Sequence, residues 1–60
     1  MNRRDRLALA TSWAKRTLPL QQGVTRPQAE REVAAKAAVT YGLGDAGRRA
    51  VLRALRESRP

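Results

Sequence analysis

Apolar residues recur at helical spacing three times along the chain and nowhere alternate as a half-buried strand would. Leu7, Ala10, Ala14 and Leu18 form the first stripe, which predicts a helix over 3–18, with Asn2 as its N-cap, Asp5 in the first turn and Pro19 as its stop. Leu9 and Trp13, four residues apart, make a second apolar patch on the same helix, more surface than a small core can cover. The stretch PLQQGVT at 19–25 is a connection, with Leu20 and Val24 expected to tuck inward.

A second helix is predicted over 26–41. Thr25 and Gln28 have the spacing of a capping box, Pro27 is tolerated in the first turn, and Val24 with Ala29 can form a hydrophobic staple. Its buried face is Ala29, Val33, Ala37 and Tyr41, flanked by Ala34 and Ala38, and Glu30 and Glu32 sit early enough to favour the helix dipole. Gly42 stands where a left-handed C-cap is expected. Asp45 is the expected N-cap of a third helix over 45–57, whose apolar stripe is Gly47, Ala50, Val51, Ala54 and Leu55, with residues 58–60 fraying. The fold class predicted is all-α, a single three-helix domain over 1–60 with a helix-turn-helix-like arrangement of the second and third helices.

Sixty residues allow one thin core, since a domain of this size buries only about 60% of its unfolded surface. The chain has no cysteine and no histidine, which excludes disulfide staples and zinc sites of the Cys/His type. With no Walker-type or serine-based motif and no close carboxylate pair, catalysis is not expected, and no cofactor or metal is implied. No apolar run approaches the ~20 residues of a membrane span. A secretory signal fits poorly because Leu7–Ala10 is followed at once by polar and basic residues, so a cytoplasmic location is expected.

Charge narrows the function class. Thirteen Lys and Arg stand against five Asp and Glu, a net charge of +8, and arginine's planar fork suits phosphate. Lys15, Arg16, Arg56 and Arg59 fall near helix C-termini, where the dipole already favours cations. Arg3, Arg4 and Arg6, and likewise Arg48 and Arg49, fall in first turns, where cations oppose it. These five therefore point to a polyanion that would also meet free backbone N–H groups at two helix N-termini.

The stretch GLGDAGRRAVLRAL, 42–55, resembles the helix-hairpin-helix module, whose Gly-apolar-Gly turn is matched by Gly42, Leu43 and Gly44 and whose following apolar pair is matched by Val51 and Leu52. The resemblance implies backbone N–H groups holding a DNA phosphate without reading sequence. The chain departs from that pattern with Arg48 in place of an alanine, Tyr41 in place of a proline, and the Asp45 carboxylate where phosphate would sit. A helix-turn-helix is the competing module, with Arg48, Arg49, Leu52, Arg53 and Arg56 of the third helix facing the major groove and Leu52 open to a thymine methyl or a dimer contact.

The expected function is that of a small basic DNA-binding protein, a transcriptional repressor or accessory factor of plasmid or phage type. It would act as a homodimer and hold nucleic acid, DNA before RNA, through Arg3, Arg4, Arg6, Arg48, Arg49, Leu52, Arg53 and Arg56. The alternative is a protein-binding regulator or inhibitor that docks on an acidic protein partner through the Leu9/Trp13 face.

Overall fold

The computed structural model describes residues 1–59 and folds them into three helices: α1 (Arg3–Thr17), α2 (Arg26–Thr40) and α3 (Gly44–Glu57), with a short 3-10 turn at Leu18–Leu20 after α1. Local chemistry accounts for the ends. Asn2 Oδ1 accepts from the Asp5 N–H at 2.8 Å, and Thr25 Oγ1 accepts from the Gln28 N–H at 3.4 Å, so each side chain satisfies a free first-turn donor. At the end of α2, Leu43 N–H donates to the Ala38 carbonyl and Gly42 N–H to that of Val39, a Schellman closure that Gly42 permits with φ 63°.

The start of α3 departs from expectation. Gly44, also left-handed at φ 67°, carries the chain straight from that closure into α3, which begins there without a side-chain cap. Asp45 therefore falls inside the first turn and caps nothing.

Three residues, Tyr41, Gly42 and Leu43, join α2 to α3, and the pairing of these helices is compatible with a helix-turn-helix-like arrangement. The core between the helices is built largely from alanine: Ala10 and Ala14 of α1, and Ala29, Ala34, Ala37 and Ala38 of α2 beside Val33. Small side chains let helix axes approach, and the larger Val51, Leu52 and Leu55 of α3, with Leu18 and Leu43, fill the space left between them. Leu7, Trp13 and Tyr41 pack partly buried against this cluster.

Two expectations about burial are corrected. Leu52 is 9% exposed and belongs to the core, whereas Ala50 and Ala54 are only half-buried. The buried stripe of α3 is thus Gly47, Val51, Leu52 and Leu55, turned toward Leu52 because a leucine removes more apolar area from water than an alanine. Leu20 and Val24 remain exposed, since the 3-10 turn directs only Leu18 inward.

Glu30 closes the bundle at the other end. It is fully buried, its Oε2 accepting from Arg26 Nε at 3.0 Å and from Arg59 Nε at 2.8 Å while its Oε1 accepts from Arg59 Nη2. Arg59 lies just beyond α3, so this contact draws the end of α3 back onto the early turns of α2. The expected fraying at the C-terminus is corrected for Ser58 and Arg59: Ser58 N–H donates to Ala54, and Arg59 is held by Glu30; Pro60 lies outside the described residues. The hydrogen bonds from Arg59 outweigh the upward push of burial and, with those from Arg26 and both positive charges, bring the Glu30 carboxyl from 4.5 down to about 2.

Two outcomes follow from this packing. Gly47→Ala should lower stability in urea denaturation by about 1–2 kcal/mol despite alanine's better helix propensity, because its methyl would overlap Leu43 Cβ. The depressed Glu30 pKa contributes stability that is present above pH 4.5 and lost as the pH falls toward 2. Arg59→Ala should therefore lower stability at pH 7, by less than the loss of a partner from a fully buried pair because Arg26 remains and Arg59 is partly exposed. Denaturation curves taken at successively lower pH should show the gap between variant and wild type narrowing over that same window.

Candidate nucleic-acid interface

The outer side of α3 follows from which side is buried. Facing away from Gly47, Val51 and Leu55, Arg49, Arg53 and Arg56 lie at spacings of four and three, one stripe of the helix surface. They surround a shallow groove of about 500 Å³ floored by Ala46, Ala50 and the exposed edge of Leu52. Alanine at 46 and 50 leaves the guanidinium groups standing clear of the backbone. Among the described residues Arg53 and Arg56 make no ion pair.

Arg48 and Arg49 are placed differently. Asp45 Oδ1 accepts from Arg48 Nη2 at 2.8 Å and from its Nε at 3.1 Å, while Arg49 Nη2 approaches Asp45 Oδ2 at 3.3 Å. The hydrogen bonds from Arg48, then the two positive charges, hold the Asp45 carboxyl below its usual range. Because α3 begins at Gly44, Arg48 and Arg49 fall in its second turn rather than its first, and both have a local partner in Asp45. Such exposed contacts contribute only about 0–1 kcal/mol, and Arg49, with its side chain 69% exposed, still reaches the groove of Arg53 and Arg56. Half-buried Arg48 lines a separate apolar groove with Ala35, Val39 and Gly42.

Arg6 makes a contact within the fold. Its Nη1 donates to the carbonyls of Tyr41 and Gly42 at 3.4 Å, covering the end of α2 where the dipole favours a cation, and its Nε is buried without a partner. That contact brings the N-terminal turn of α1 beside the α2–α3 turn. Arg3 and Arg4 are exposed at this end of the bundle, outside the α3 groove.

Leu52 is mostly buried and reaches the surface only in the floor of the arginine groove. Leu9 is 43% exposed, while Trp13 packs partly into the core and walls a groove with Val39. The roles of four residues were missed at the level of sequence. Arg26 and Glu30 stand four apart, and Glu30 is three and four residues before the buried Val33 and Ala34, which was signal enough to place it at the core edge. Val39, two positions after Ala37, points away from the buried stripe by the helical period and is 83% exposed. No local signal pairs Arg59 with Glu30.

No protein-family model matches the chain, and comparison with curated proteins and with solved structures finds no match. Among the described residues no helix is long and apolar enough to cross a membrane.

Asp45 is the acidic side chain that pairs with Arg48 and Arg49 at the start of α3. Asp45→Asn should tighten binding to a polyanion such as duplex DNA by freeing Arg48 and Arg49, at a small cost in stability from the lost first-turn acid. Fluorescence anisotropy and urea denaturation of the variant measure the two effects separately.

Proposed function

We propose that the chain is a small basic DNA-binding protein that holds backbone phosphates with the outer face of α3, acting in the cytoplasm as a homodimeric repressor or accessory factor of plasmid or phage type. The observation that carries this reading is the groove formed by Arg49, Arg53 and Arg56, in which two of the three guanidinium groups have no acidic partner among the described residues.

The three cations rise over about 10 Å of helix, against a duplex that carries one phosphate charge per ~1.7 Å of its axis. Arginine can meet phosphate oxygens bidentately, and its weak hydration lowers the cost of desolvation. Arg3 and Arg4 extend the positive surface at the start of α1. The outer stripe of α3 offers no Asn, Gln, Ser or Thr, and Leu52 is turned inward, so contact with phosphate supplies most of the affinity and base reading is left to arginine alone.

Anisotropy with labelled duplex DNA, single strands and RNA across a salt series tests this. The expected result is duplex binding whose log K falls linearly with log salt. Arg53→Ala and Arg56→Ala should each weaken binding and each flatten the slope by about 0.9. A flat salt response, absence of binding at low salt, or slopes indifferent to both substitutions would overturn it.

A further inference from the structure

The outer side of α1 carries an acid, an apolar centre and a base in one line. Asp5, Leu9, Ser12 and Arg16 succeed one another at spacings of four, three and four, all exposed, and share one stripe of the helix. Trp13 borders the stripe on the side of α2, where it walls a groove of about 390 Å³ with Ala35, Lys36, Val39 and Thr40. Leu9, Trp13, Ala35 and Val39 thus extend an apolar surface across two helices. Among the described residues neither Asp5 nor Arg16 has an ion-pair partner.

We infer that this face is the contact between two copies of the chain, α1 lying antiparallel to α1 about a two-fold axis midway between Leu9 and Ser12. A two-fold interface must be complementary to itself: residue i meets j while j meets i. Antiparallel apposition of the stripe does this, bringing Asp5 of each copy to Arg16 of the other and Leu9 toward Trp13. The small Ser12 side chain, which this register sets against Leu9, lets the two helices approach closely. The rim carries both signs, with Asp5 and Glu32 as well as Arg16 and Lys36, so a uniformly acidic partner or a nucleic acid would meet repulsion that a second copy does not. The inference deepens the homodimer of the proposed function, but shares no residue with the arginine groove of α3, so either can fail without the other.

Sedimentation equilibrium over a wide concentration range, with and without added salt, tests it. The 6.7 kDa chain should reach twice that mass. Val39→Asp, at a position too exposed to disturb folding, should weaken the dimer by about a hundredfold, since it places a carboxylate against an apolar surface. Asp5→Arg alone should weaken it by about threefold to tenfold and Arg16→Asp added to it should restore it, with circular dichroism checking that helix content is kept. A mass of 6.7 kDa at every concentration, or a dimer indifferent both to Val39→Asp and to the charge exchange, overturns the inference. So does a monomer whose Trp13 emission shifts on adding an acidic amphipathic peptide, which would assign the face to a different protein.

Discussion

The bundle depends on one buried carboxylate. Glu30 lies fully buried in α2 and reaches both Arg26, one turn before it, and Arg59, beyond the end of α3. A charge in that position is tolerated only because the two guanidinium groups supply hydrogen bonds that offset its desolvation. Its geometry in turn dictates the path of the chain, because Arg59 reaches Glu30 only if α3 packs along α2. In a domain with no disulfide and a thin apolar core, that single contact fixes the end of the molecule far from the α2–α3 turn.

The opposite end is fixed by backbone chemistry. The Schellman closure at Gly42 satisfies the last carbonyls of α2, Arg6 covers those of Tyr41 and Gly42, and Leu43 is carried into the core beside Gly47. With both ends held, the rotation of α3 is settled by the volume left above the alanines of α2, which Val51, Leu52 and Leu55 fill. That rotation exposes Arg49, Arg53 and Arg56 together. The same packing that makes the fold stable therefore composes the surface offered to phosphate.

Separating structural from available cations changes how the net charge is understood. Arg26 and Arg59 serve Glu30, Arg6 serves the end of α2, and Arg48 serves Asp45. Among the guanidinium groups left for a ligand, Arg49, Arg53 and Arg56 share one face of α3, while Arg3, Arg4 and Arg16 stand on α1 and Arg31 on α2. Opposition to the helix dipole singled out Arg48 and Arg49, yet α3 begins at Gly44, which puts both in its second turn with Asp45 as their acidic partner. Arg53 and Arg56, further along the helix, are the better supported positions.

The sequence by itself determined the three helices and nearly all of their ends, because caps and stops act within a few residues: Asn2 on Asp5, Thr25 on Gln28, Pro19 after α1, and Gly42 after α2. It also determined that much of the surface is basic and that α1 carries more apolar area than it buries. It left the burial of Leu52 undecided, since a periodic pattern allows α3 to turn toward either Ala50 or Leu52, and only the alanine-lined space beside it selects the leucine. The roles of Arg59 and Arg6 were decided by tertiary structure alone. Each contact joins residues 29 to 36 positions apart, where side-chain spacing carries no information and the path of the folded backbone decides which charges meet.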